Sequence, residues 1–207
     1  MFKLGYQAFI LMSIVSGYAI VNIVKQKNKK MIHKIYLMGL LPLLFLVLLY
    51  PYFAVKSYFG ELKEYHGLWG MEWMQNKYPD DLAGVNWLNK VVVGQPVIME
   101  AAGDSYTDYE RVSMLTGLPT VAGWAVHEWL WRGSYDPIAK RAADVAVVYE
   151  SDNLAQAKTL LDKYNVKYVF VGDLEREKYK YLNEENIAIL ARQVFVQGKT
   201  RIYEVTR

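Results

Sequence analysis

Between Trp124 and Gly133 the chain reads WAVHEWLWRG, which sets His127, Glu128 and Arg132 among three tryptophans, Trp124, Trp129 and Trp131. An imidazole, a carboxylate and a guanidinium at this spacing suit three chemistries: metal-assisted hydrolysis, recognition of a phosphate or carboxylate, and stacking on a sugar ring. The first requires imidazoles at i and i+4 on one helix face, as in His-Glu-x-x-His. The fourth residue after His127 is Trp131, which cannot ligate a metal, so the zinc-protease helix is excluded. Only three histidines occur in the chain, and His33 falls in a lysine-rich loop. A histidine-rich metal site is therefore excluded too, and a site combining His127, His66 and carboxylates stays open. Tryptophans near arginine make platforms for sugar rings, and an aromatic cluster can equally rest in a bilayer interface or pack as ordinary core. Polar groups buried among tryptophans must in any case be paired.

A second polar group lies upstream in EAAGDSYTDYERVSMLTG, Glu100 to Gly117. The apolar run Pro96 to Gly103 predicts a buried strand that delivers Glu100, Asp104, Ser105, Tyr106 and Asp108 to its carboxyl end, where α/β sheets place ligand sites. The competing role for Asp104 or Ser105 is to cap a helix over Thr107 to Leu115. Val171-Gly172-Asp173 ends another strand, but one glycine does not make a Gly-x-Gly-x-x-Gly cradle and no Walker lysine motif is present.

Several elements must position these groups. Asp80 to Asn89 predicts a helix with Leu82, Val85 and Leu88 on one face. Pro137 to Tyr149 predicts another, capped by Asp136 before a first-turn proline, with Ile138, Ala142, Val145 and Val148 facing inward. Ser151 to Tyr164 turns Leu154, Ala157, Leu160 and Leu161 inward and runs into the apolar strand Tyr168 to Gly172, a common α/β unit. The sequence PTVAG after Leu118 reads as a short extended piece. QVFVQGKTRIYEVT closes the chain as a hairpin turning at Gly198 and Lys199.

The first 59 residues have a different character. Residues 5–24 and 35–55 are uncharged apolar runs, each long enough to cross a bilayer core of about 30 Å as a helix. Seven lysines and no acidic residue lie in residues 1–59, which leaves 17 of the 24 basic residues against all 21 acidic ones downstream, a net of −4. Five of the seven lysines fall in the loop 25–34, and short lysine-rich loops stay in the cytoplasm. Two membrane helices with a cytoplasmic loop then place the rest outside: a connector over residues 60–90 and an extracytoplasmic α/β domain over 91–207. Tyr50, Tyr52, Tyr58 and Phe59 suit an interfacial belt. A cleaved signal peptide is the competing reading of the first run, but its core would be long and cleavage would put the lysine cluster on the wrong side. With no cysteine, an exported domain is held by its core and not by disulfides. No nucleic-acid partner is expected.

The phrases EAAGDSYTDYERVSMLTGLPTVAGWAVHEWLWRG, RAADVAVVYES, LLDKYNVKYVFVGDLEREKY and RIYEV resemble, in that order, the C-terminal part of the Chlor-Arch-YYY family of multi-spanning membrane proteins. The resemblance covers roughly Gly67 to Val205. The family's motif residues carry over to Gly103, Tyr106, Gly117, Pro119, Gly123, Trp124, His127, Glu128, Trp131 and Arg132. The family's Leu-Asp-Gly segment corresponds at best to GLWGMEWM, where the aspartate is absent. The resemblance implies a GT-C type glycosyltransferase at the cell membrane: many membrane helices, an extracytoplasmic α/β domain and a polyprenyl-phosphate sugar as donor. Such enzymes carry their catalytic acid in an early loop between membrane helices, and residues 1–59 hold no Asp or Glu. The segment is therefore expected to be a C-terminal part, or to work beside further transmembrane helices of the same or a partner chain. It would contribute substrate binding through Asp104, Tyr106, Trp124, His127, Glu128, Trp131 and Arg132, with the catalytic residue elsewhere. Arg132 would hold a phosphate or carboxylate, and His127 with Glu128 would orient a hydroxyl or share a metal. No cofactor is assigned to this segment; a divalent metal ion belongs to the complete enzyme if to anything. The alternative is a membrane-tethered binding or docking module without transferase activity.

Overall fold

The computed structural model describes residues 2–26, 30–63 and 67–206, which form two separate units meeting at Leu68 and Trp69. His66 and the middle of the lysine loop, residues 27–29, lie outside the described residues.

The first unit is two helices, α1 (Phe2–Lys25) and α2 (Met31–Tyr58), with a 3-10 turn at Gly60–Leu62. Each runs a few residues beyond its expected span, taking in Lys3 and Lys25 in α1 and His33, Lys34 and Lys56 in α2. At 24 and 28 residues they reach about 36 and 42 Å, long and apolar enough to cross a membrane. α2 buries no residue, and most of its leucines and both of its phenylalanines are exposed. Pro42 and Pro51 both sit inside α2, a placement that neighbouring groups can accommodate in a membrane helix.

The second unit is mixed α/β. Its sheet has the order β1-β2-β4-β3, with β1 (Val97–Met99) parallel to β2 (Val166–Val171) and the hairpin β3 (Ala191–Gln197) and β4 (Thr200–Val205) antiparallel. β2 is apolar on both faces because both are covered: Val169, Phe170 and Val171 are all essentially solvent-free. On one side Val169 and Val171 pack with Ile138, Val145 and Val148 of α7 (Asp136–Glu150), Leu161 of α8 (Leu154–Lys163) and Ile187 of α10 (Glu184–Leu190). On the other, Phe170 packs with Met74 of α3 (Glu72–Lys77), Leu82, Val85 and Leu88 of α4 (Pro79–Val91), Val112 of α5 (Arg111–Thr116) and Leu174 of α9 (Asp173–Lys178).

The domain thus begins at Trp69 and not near residue 91. α3 and α4, assigned by sequence to the connector, supply half of one core layer. Three local expectations also shift. The strand expected over residues 96–103 stops at Met99, because the chain turns there to bury Glu100. α5 starts at Arg111 and not at Thr107. Asp136 is the first residue of α7, with Tyr135 at the cap position.

Candidate functional site

The site is framed by charge buried inside the domain. Arg111, at the start of α5, has no solvent exposure, and its Nε and Nη2 donate to Asp81 Oδ2 at 2.8 and 2.5 Å. Its Nη1 and Nη2 donate to the two carboxylate oxygens of Glu175 at 3.2 and 2.8 Å, the two-pronged geometry that favours arginine over lysine. Burial opposes charge on the guanidinium, but Glu175 and Asp81 outweigh it and raise the pKa of Arg111. Burial likewise pushes Glu175 up, and Arg111 together with the amides of Ala101 and Gly172 brings it below its ordinary value. Glu100, just past β1, accepts from the amides of Val112 and Ser113 at 2.8 Å each. It therefore caps α5 from a distance, a role expected of Asp104 or Ser105. Burial pushes Glu100 up to about 7.

The loop between β1 and α5 is fastened to α6 (Ala125–Arg132). Ser105 Oγ accepts from the His127 amide at 3.3 Å and lies 2.7 Å from His127 Nδ1. The Ala125 amide donates to the Gly103 carbonyl at 3.2 Å, and Trp124 Nε1 donates to the Tyr109 carbonyl at 2.9 Å. Tyr106, Trp124 and His127 form a triangle of rings with centroids 5.2 to 5.9 Å apart. The segment leading into α6 runs beside β1: Ile98 pairs in parallel with Thr120, and its amide donates to the Pro119 carbonyl at 2.9 Å. Of the expected extended piece PTVAG, Pro119 and Thr120 run beside β1 while Val121 and Ala122 bend away, and α6 starts at the carboxyl end of β1. Glu128 and Arg132, one turn apart, form an ion pair through Arg132 Nε.

Two clefts flank Gly123. The larger, about 490 Å³, is lined by Glu110, Trp124, His127, Glu128, Arg132 and Arg141, among others. Glu110 is buried in left-handed backbone (φ 59°). Its Oε1 accepts from the Gly103 amide at 2.8 Å, while its Oε2 is buried with no hydrogen-bond partner. Burial is the main reason its carboxyl is pushed up to about 8. Arg141 enters from α7 and donates to the Val121 carbonyl at 3.1 Å. The smaller cleft, about 240 Å³, is lined by Asp104, Thr107, Tyr109, Tyr135 and Lys178. Lys178 donates to the Ala102 carbonyl and lies over the Tyr109 ring, 4.8 Å from its centroid. Burial lowers its pKa.

Of the residues nominated by sequence, Trp124, His127, Glu128 and Arg132 come together on the larger cleft. Asp104 lines the smaller one. Tyr106 packs on Trp124 and His127 but lines neither cleft, and Trp131, 81% exposed, lines neither. Glu110, Arg141 and Lys178 were missed by sequence reasoning. The only local sign of Glu110 is that its carboxylate precedes a helix. Among the described residues, no group of three or more His, Cys, Asp or Glu is placed to hold a metal ion. The side chains beside His127 are instead a serine hydroxyl and two aromatic rings.

No protein-family model matches the chain, and no curated protein matches it. The resemblance to the Chlor-Arch-YYY family accordingly rests on the motif residues alone. Among solved structures the chain is similar to the C-terminal globular domain of oligosaccharyltransferase from Archaeoglobus fulgidus, with 12% identity and a TM-score of 0.41 over 60% of this chain and 95% of that one. That is a loose likeness of chain path, too distant to carry substrate or activity across.

Proposed function

We propose that this chain is the C-terminal part of a GT-C-like membrane glycosyltransferase, anchored in the cell membrane by α1 and α2 with its α/β domain on the extracytoplasmic side. The larger cleft binds the phosphate-linked sugar of a polyprenyl carrier, and the catalytic acid comes from further membrane helices of the same or a partner chain. The observation that carries the reading is the grouping of Trp124, Glu110, Arg132 and Arg141 around one cleft of about 490 Å³, with one buried oxygen of Glu110 unpartnered. A phosphate suits the guanidinium pair, a sugar face suits the tryptophan, and a sugar hydroxyl satisfies the carboxyl. Glu128 holds Arg132 at the rim, and His127, fixed through Ser105, donates or accepts one further hydroxyl bond.

The test is binding of a synthetic polyprenyl-phosphate hexose to the full chain in phosphatidylcholine nanodiscs. Binding is expected, weakened about tenfold or more by Arg132→Ala and by Arg141→Ala, in keeping with the strength of charge-assisted bonds. No binding, or unchanged binding in both variants, overturns the reading. The alternative, a tethered docking module without transferase activity, is favoured by the apolar outer face of α6, which no described element of its own unit covers.

A further inference from the structure

None of the eight residues of α6 is buried. Val126, Trp129, Leu130 and Trp131 are 39%, 45%, 70% and 81% exposed, and Tyr135 just beyond the helix is half exposed with its ring edge-on to Trp129, centroids 6.4 Å apart. At about 100° per residue, Val126, Trp129 and Leu130 share one arc of the helix, whereas Trp131 lies a further 100° round, past His127, and is not part of that arc. Single exposed apolar residues are ordinary, but this many large ones on two turns form a patch that soluble surfaces avoid unless something covers it. The helix holds its position without using this face, because it is fastened from behind by Ser105, by the Gly103 carbonyl and by Trp124.

We propose that this face of α6 lies in the interfacial layer of a lipid bilayer, so that the domain is held on the membrane by a helix of its own as well as by its tether. The proposal rests on the reading that α1 and α2 cross that bilayer. Two observations select lipid over a protein partner. Only residues 59–71 separate α2 from α3, a span of at most about 45 Å fully extended, so each molecule carries a bilayer within reach. The patch is also built from interfacial residues, a tryptophan and a tyrosine ring each with one polar edge. Docked this way, the larger cleft, which shares α6, opens beside the headgroups, where a lipid-linked phosphate would be presented.

The chain has no cysteine, so single cysteines give unique spin-label sites. The full chain is reconstituted in phosphatidylcholine nanodiscs with a nitroxide at Leu130→Cys. Phe45→Cys in α2 serves as the lipid reference and the exposed Lys158→Cys in α8 as the aqueous one. Relaxation by oxygen, which concentrates in lipid, is compared with relaxation by a water-soluble nickel chelate. At Leu130 the oxygen effect is expected to exceed the chelate effect, as at Phe45 and opposite to Lys158. A Lys158-like ratio at Leu130 overturns the proposal, and shielding from both agents does so too, since a protein then covers the face. An aqueous ratio at Phe45 itself would mean that the membrane anchor has failed, an outcome distinct from failure of α6 docking alone.

Discussion

Arg111 Nη2 sits 2.5 Å from Asp81 Oδ2 with both side chains fully excluded from solvent, joining α5 to α4 by an ion pair. The second carboxylate, Glu175, binds the same guanidinium from α9, and Thr200 Oγ1 donates to Asp81 Oδ1 at 2.5 Å from β4. The Phe170 ring of β2 lies under the guanidinium, 5.3 Å away. α4, α9 and the central strand thus converge on one side chain of α5, and β4 joins the network through Asp81. Loss of the pairing matters more than its formation, because a buried charge stripped of its partner keeps its full desolvation cost.

Arg111→Met is accordingly expected to destabilise the domain by about 3–5 kcal/mol, since it leaves Asp81 and Glu175 facing each other without a cation. Arg111→Lys should recover only part of this, because one ammonium cannot reproduce the two-pronged contact. Thermal unfolding of the full chain in detergent measures both. A melting temperature for Arg111→Met close to that of the parent chain would mean that the network carries little of the stability.

Gly172 is required by the same network for want of space. A Cβ built there would lie 2.1 Å from Asp81 Oδ1 and 2.8 Å from Arg111 Nη2. Neither atom can retreat without breaking a buried bond, so Gly172→Ala is expected to cost at least the 1–3 kcal/mol typical of an overpacked core. Gly70→Ala, where a Cβ meets nothing within 4 Å, is the control and should change stability by less than about 0.5 kcal/mol. Denaturant midpoints compare the two.

What the sequence revealed followed periodicity. Ile138, Val145, Val148 and Leu161 are all buried where the helical pattern put them, and the apolar run of β2 is covered on both faces. The closing hairpin was legible because its turn residues are local. The charged interior was not, since Asp81 and Arg111 are 30 residues apart and Arg111 and Glu175 are 64 apart. Each of these residues taken singly reads as a solvated surface group, which is why α3 and α4 looked like a connector. For the site, the tryptophan motif marked one wall of the cleft. Its other wall comes from Glu110 in left-handed backbone and from Arg141 a helix away, and neither position has a motif.

Ser105 is predicted to matter through α6. Its hydroxyl accepts from the His127 amide and meets the imidazole, so one side chain sets both the helix start and the orientation of the ring. Ser105→Ala should cost about 1 kcal/mol, as the loss of a cap does. Hydrogen exchange provides the sharper measure: amides of α6, His127 foremost, should exchange faster while those of α7 and α8 do not change. Uniform acceleration would assign Ser105 to global stability instead.

Glu110 links the cleft to pH. Its carboxyl moves from 4.5 in the open chain to about 8 in the folded domain, so between these values the folded state binds more protons than the unfolded state. Stability from this group is therefore fully present below pH 4.5 and is lost as pH rises through 8, with a slope of up to about 1.4 kcal/mol per pH unit. Glu100, pushed up to about 7, acts in the same direction. Glu175 is depressed, so its contribution disappears only in acid below this window. Glu110→Gln keeps an oxygen to accept from the Gly103 amide and imitates the protonated acid. The variant and the parent should therefore match at pH 5 and diverge towards pH 8, where the variant is the more stable of the two. Melting temperatures at half-unit steps of pH measure the divergence. Parallel curves would show that Glu110 ionises at its ordinary value, with its buried oxygen reached by solvent.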